Sequence, residues 1–211
     1  AFLRVPIRLG EDVFTTGEIG QQKRKRLCET MQGFSYIMSA FNVESYKAYA
    51  TCAMREARNG KSVAEQIQKE CDLNIEIISG TKEAETIFAG GMNEVVDDDK
   101  TYLYVDVGGG STEVIVYSKS VKVEACSFPL GTVRMLNDAV DKEEMKHFKK
   151  WLKNITEKYT PDAIIGSGGN INKIHKLLNK KERERITYQE LDILYEYMKS
   201  FNLEERERIM K

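Results

Sequence analysis

Between residues 18 and 41, Leu27, Met31, Phe34, Ile37, Met38 and Phe41 recur at three- and four-residue steps. That period marks one face of a long amphipathic helix and assigns these side chains to a core. Residues 1–7 and 43–51 read as strands, the second ending in small residues, and a helix follows over 62–71. Residues 74–78 form the next strand, and Ser79-Gly80-Thr81 opens a helix running to about residue 92. The result is a strand–helix–strand–helix lobe. Residues 93–100, with the run Asp97-Asp98-Asp99, are polar and lack an apolar face. They set a boundary between a first lobe, residues 1–97, and a second, residues 98–211. In the second lobe three strands succeed one another as hairpins over 101–106, 112–117 and 121–128, before a turn at Pro129-Leu130-Gly131. A helix over 143–158, a short buried strand at 163–165 and a helix over 171–178 follow. Two final helices cover 187–200, capped by Thr187 with Glu190 three residues on, and 203–210.

The most informative interruption of this pattern lies between the first two hairpin strands, where Asp106-Val107-Gly108-Gly109-Gly110-Ser111-Thr112-Glu113 joins two apolar runs. Consecutive glycines bring successive N–H groups within reach of a phosphate oxygen, with no Cβ in the way and with access to backbone conformations closed to other residues. Asp106 and Glu113 stand where a hairpin brings its ends together. Two hard oxygen ligands there face a Mg²⁺ that also touches the phosphate. No lysine follows the glycines, so the P-loop pattern is not matched, and Glu113 stands where a dinucleotide fingerprint has its last glycine. A second glycine turn, Gly166-Ser167-Gly168-Gly169-Asn170, links a strand to a helix N-terminus, whose free N–H groups and dipole favour phosphate at Gly168 and Gly169. A solvated glycine hairpin and a merely sharp turn are the plain structural alternatives.

Composition narrows the field. With 32 basic and 33 acidic residues among 211, the net charge is -1 and no global field recruits nucleic acid or an anionic membrane. A polyanion has to be held locally, and the clusters Lys23-Arg24-Lys25-Arg26 and Lys180–Arg185 are either solvated faces or a polyphosphate track. Cys28, Cys52, Cys71 and Cys126 show no paired spacing, which points to reduced, mostly buried thiols in a cytoplasmic protein. His147 and His175 lie in charged helical stretches and offer neither a zinc site nor a catalytic triad. No apolar run has the roughly 20 residues of a membrane span. The abrupt start and end suggest a trimmed fragment.

Four segments together resemble the exopolyphosphatase and guanosine pentaphosphate phosphatase (Ppx/GppA) family, a branch of the actin-like ATPase superfamily. They are Ala50-Thr51-Cys52-Ala53-Met54-Arg55-Glu56-Ala57, Ile77-Ile78-Ser79-Gly80-Thr81-Lys82-Glu83-Ala84-Glu85, Asp106 through Glu113, and Gly166-Ser167-Gly168-Gly169. The resemblance implies an α/β fold of two actin-like, ribonuclease H-like lobes with mixed sheets and an interlobe cleft. It makes Glu83 the general base for water attacking a terminal phosphorus and Arg55 a phosphate clamp. Asp106 and Glu113 become Mg²⁺ ligands, and the backbone of Gly108, Gly109, Gly110 and Ser111 a phosphate holder, with Arg134 a weaker phosphate-binding candidate. Substrates are then inorganic polyphosphate or guanosine pentaphosphate, with guanosine tetraphosphate as a bound ligand of a non-catalytic sensor. A superfamily kinase or ATPase is the other alternative, and the family implies a homodimer. The family's first phosphate loop, of the type Asp-x-Gly-Ser-Asn-Ser, and its C-terminal part are missing from this sequence, so the chain as it stands is expected to be weakly active or inactive.

Overall fold

The computed structural model describes residues 3–89, 97–181 and 184–209. Two compact units emerge, Ala1–Ile165 and Gly166–Lys211.

The first unit opens with helix α1 (Leu9–Thr16), stopped by Gly17 in the left-handed conformation, whose N–H donates to the Val13 carbonyl. The long helix α2 (Gln21–Ala40), strand β1 (Tyr49–Ala50), the short α3 (Cys52–Glu56), α4 (Gly60–Cys71) and strand β2 (Glu76–Ile77) follow. β1 and β2 run parallel, Tyr49 opposite Glu76 and Ala50 opposite Ile77, the crossover pattern that α3 and α4 provide. Their core is a cluster in which Val63 and Ile67 of α4 are fully buried beside Val13, Ile19, Met54 and Leu73. Leu27, Met31 and Met38 of α2 pack against it. The expected apolar stripe of α2 therefore splits, because Ile37 and Phe41 are exposed, Phe41 by 80%. Residues 3–7 form no strand; Pro6 has no N–H to give a ladder. The strand expected over 43–51 contracts to its last residues.

Helix α5 (Gly80–Ala89) leads toward a sheet of β3 (Thr101–Val107), β4 (Thr112–Ser118), β5 (Val121–Phe128) and β6 (Ala163–Ser167), in the order β5-β4-β3-β6. β3, β4 and β5 are antiparallel neighbours, as their hairpin succession predicts. β4 is central and buried on both faces, so its side chains divide by parity. Val114 and Val116 join Leu103, Phe128 and Leu130 under Ile155, Phe148 and Trp151 of α7 (Lys142–Tyr159). Ile115 and Tyr117 pack with Tyr104, Ala125 and Ile165 on the other side. That second face also carries Glu113, and α5 lies over it. Between β5 and α7 a five-residue helix, α6 (Thr132–Leu136), forms that the apolar pattern had not signalled.

The second unit consists of α8 (Gly169–Leu177), α9 (Tyr188–Lys199) and α10 (Leu203–Ile209). Thr187 and Glu190 make the anticipated reciprocal capping box on α9. Residues 93–96 of the boundary segment expected at 93–100, the end of the helix expected to reach 92, and residues 182–183 of the second basic cluster lie outside the described residues. Among the described residues no helix is long and apolar enough to cross a membrane.

Ile67 has no exposed surface. Replacing it by alanine should lower unfolding free energy by about 2–5 kcal/mol, the usual cost of a buried cavity of that size. Urea denaturation followed by circular dichroism checks this value.

Candidate active site

Asp106, Glu113 and Ser127 are register partners across β3, β4 and β5, so all three side chains stand in one row on the same face of the sheet. The Ser127 hydroxyl donates to Glu113 Oε1 at 2.9 Å. Above this row comes the first turn of α5. Gly80 sits so close that a Cβ there would lie 2.5 Å from Ser127 Oγ and 3.1 Å from Glu113 Oε1. Only a glycine lets the helix start at this height. Ser79 helps begin it, its hydroxyl accepting from the Lys82 N–H at 3.2 Å and its carbonyl from the Glu83 N–H at 2.9 Å.

Glu83 is thereby brought to the carboxylates of the sheet. Its Oε2 is buried without a hydrogen-bond partner and lies 3.6 Å from Arg55 Nη1, both side chains being largely covered. Arg55 is itself oriented by donating to the Ile78 carbonyl at 2.7 Å. Burial is the main cause that lifts Glu83 above the ordinary carboxylate range, followed by the charge of Glu113; Arg55 opposes it and Asp106 adds to it. Burial also raises Glu113, against the pull of the Ser111 and Ser127 hydroxyls and with a further push from Asp106. Asp106 is raised by burial alone. Three acids that influence one another electrostatically, each short of water, make a place where one proton or one cation is strongly favoured.

The glycine turn adds the opposite chemistry. Its three carbonyls are all spoken for: Gly108 O accepts from Thr132 N at 3.0 Å, Gly109 O from Val133 N at 2.8 Å, and Gly110 O from Arg134 Nε at 2.6 Å. In a planar trans peptide the C=O and the next N–H point to opposite sides. The N–H groups of Gly109, Gly110 and Ser111 consequently point away from α6, and no hydrogen-bond acceptor pairs with them among the described residues. The triad works without the left-handed backbone expected for it, since only Gly17 and Gly168 have positive φ among the described glycines. Glycine is required at 110 for space, because a Cβ there would meet Phe14 Cζ at 2.2 Å and Cys52 Sγ at 2.4 Å.

Two sequence candidates remain, Arg134 and the second glycine turn. The Arg134 guanidinium is committed to Gly110 O and to Glu56, over the Phe14 ring. Burial, reinforced by Glu56, pushes the Cys52 thiol up to about 11, so it stays protonated and donates to Glu56 Oε1 at 3.2 Å. Gly168 and Gly169 open α8 in the second unit, Gly168 with φ 98, a conformation that favours glycine. Sequence reasoning missed Ser127; its signal was the strand alternation that sets it opposite Glu113.

Asp106 and Glu113 offer two hard oxygen ligands, and among the described residues no group of three or more acidic, histidine or cysteine side chains is placed to hold a metal ion by itself. This donor set fits Mg²⁺, which characteristically takes one or two carboxylates and completes its shell from substrate phosphates and water.

The chain matches the Ppx/GppA phosphatase family over residues 3–211. It belongs to that family. Among Ppx/GppA relatives it is 24% identical over 190 residues to "Exopolyphosphatase 1" of Mycobacterium tuberculosis, covering 82% of this chain and 54% of the relative. It is 24% identical over 201 residues to the "Guanosine-5'-triphosphate,3'-diphosphate pyrophosphatase" of Aeromonas hydrophila, covering 89% of this chain and 40% of that protein. The chain thus spans about half the length of the curated relatives it matches. A crystal structure described as an exopolyphosphatase from Cytophaga hutchinsonii has the same fold, with TM-score 0.79 at 24% identity over 95% of this chain and 71% of that one. The mixed α/β fold expected from sequence is the fold of these Ppx/GppA structures.

A carboxylate whose folded pKa is raised above its unfolded value of about 4 destabilises the fold when ionised. The cost is fully present above the folded pKa and vanishes as pH falls through it toward the unfolded value. Asp106→Asn should therefore raise the melting temperature near pH 7, by about 2–4 °C for each kcal/mol of that cost relieved in a chain of this size. The gain should shrink toward zero near pH 4. Thermal melts of both proteins across pH 4–8 check this, and a gain independent of pH would contradict it.

Proposed function

We propose that this protein hydrolyses a terminal phosphoanhydride and releases orthophosphate, acting on inorganic polyphosphate or on guanosine pentaphosphate. One observation carries the reading. Three carboxylates, one with a buried oxygen that accepts no hydrogen bond and faces Arg55 at 3.6 Å, share a small region with a turn whose N–H groups meet no acceptor among the described residues. The family membership and the names of the relatives support the same substrate class.

In this reading Glu83 holds the attacking water and takes its proton at Oε2. A carboxylate raised by burial and by Glu113 is a better base than an exposed one. Arg55, preset by the Ile78 carbonyl, binds an equatorial phosphate oxygen beside Glu83. The N–H groups of Gly109, Gly110 and Ser111 take up charge as it shifts onto those oxygens in the transition state. Asp106 and Glu113 hold Mg²⁺, with Ser127 fixing one Glu113 oxygen. When bound, the ion supplies charge neutralisation between these acids and the phosphate.

Orthophosphate release should be measured from long polyphosphate and from guanosine pentaphosphate, with Mg²⁺ and with chelator. Release should require the ion. Glu83→Gln should lower kcat by about 10²–10⁴-fold, the usual contribution of a positioned base, with a small change in KM. Equal rates in the Gln variant would remove Glu83 from the mechanism, and polyphosphate binding without turnover would make the protein a sensor.

A further inference from the structure

The carbonyl side of the glycine turn is held by side chains from three distant parts of the chain. Arg134 donates from Nε to Gly110 O at 2.6 Å and from Nη2 to Glu56, and its guanidinium lies 4.6 Å from the centre of the Phe14 ring. Glu56 in turn receives the Cys52 thiol at 3.2 Å, and both Phe14 and Cys52 press on Gly110, where any side chain would collide with them. The Arg134 side chain is 14% exposed. A largely covered guanidinium whose fork joins a main-chain carbonyl and a carboxylate fixes orientation, which a lysine's single ammonium does poorly. Because each peptide's N–H opposes its carbonyl, whatever holds the Gly110 carbonyl also aims the Ser111 N–H.

We propose that Arg134 and Glu56 form a latch that fixes the glycine turn with its N–H groups facing the ligand, so that both are positioning residues and Arg134 does not bind phosphate itself. The latch ties α3 of the first sheet's crossover to the hairpin of the second sheet. The identity of the ligand rests on the function proposed above; the latch itself rests on the hydrogen bonds.

The test uses Glu56→Ala, Arg134→Ala and the double variant, read by hydrogen–deuterium exchange and by calorimetric titration with inorganic tripolyphosphate and Mg²⁺. Each single change should raise uptake across residues 107–112 while uptake across 60–71 stays at the wild-type level. Tripolyphosphate affinity should fall by about 10-fold in each, the scale of one lost charge-assisted hydrogen bond. The double variant should be no worse than the weaker single, as expected for two parts of one device. Should Arg134→Ala not fold, Arg134→Lys gives the same readings, with the Lys chain reaching one partner instead of two. The latch is overturned if Glu56→Ala leaves uptake and affinity unchanged while Arg134→Ala weakens binding, or if Glu56→Ala tightens it, since both results make Arg134 a direct ligand. Absence of tripolyphosphate binding by the wild type would refute the proposed function, and the exchange data would still decide the latch.

Discussion

The approach of the first turn of α5 to the face of the β3–β4–β5 sheet controls the rest of the site. Where most helices keep a side chain's width from a sheet, Gly80 sits almost in contact with Ser127 and Glu113. One turn further on, Glu83 is thereby placed among Glu113 and Asp106. The contact works against electrostatics, because it dehydrates acids and gathers like charges. Two compensations are visible. The positive end of α5 lies over the row, and Arg55 stands at 3.6 Å from Glu83 while bound to the main chain.

The glycine turn solves a complementary difficulty. A hairpin end exposes both donors and acceptors, and an acceptor facing phosphate repels it. Here α6 removes the acceptors. Its first N–H groups, which any helix leaves unpaired, are consumed by Gly108 and Gly109, and Arg134 consumes Gly110. A helix of five residues is thus explained by what it does for the turn more than by its own packing.

Much of this was legible in the sequence, and the misses have physical causes. The hairpin strands were read almost to the residue, because β3 and β4 carry apolar runs on either side of the glycine turn and β5 begins by alternating. The capping box at Thr187 and Glu190 was readable because it is local. α1 and α6 were missed because each is too short for a helical period to register, and Gly10 interrupts the first. The outer part of the α2 stripe was assigned to the core from period alone, yet period says only that a face is apolar and not that something covers it. At the site, Asp106, Glu113 and the glycines were marked by their own spacing, and Glu83 and Arg55 by resemblance. Ser127 and the bracing roles of Phe14 and Glu56 depend on contacts between residues far apart in sequence, which no local pattern carries.

Charge arithmetic constrains how such a site can meet its substrate. Two unit charges 4 Å apart in surroundings of effective dielectric about 20 repel by about 4 kcal/mol. In the proposed reaction, three carboxylates beside a phosphoanhydride end would call for something positive between them. Arg55 supplies one charge but is already shared with Glu83. In the proposed reaction, protonating the acids would silence the base, whereas a divalent ion held by Asp106 and Glu113 would favour the ionised form of Glu83. On that ground the proposed ion and the proposed base would work together: a cation held by the sheet's pair of acids would also keep the helix's acid able to take a proton.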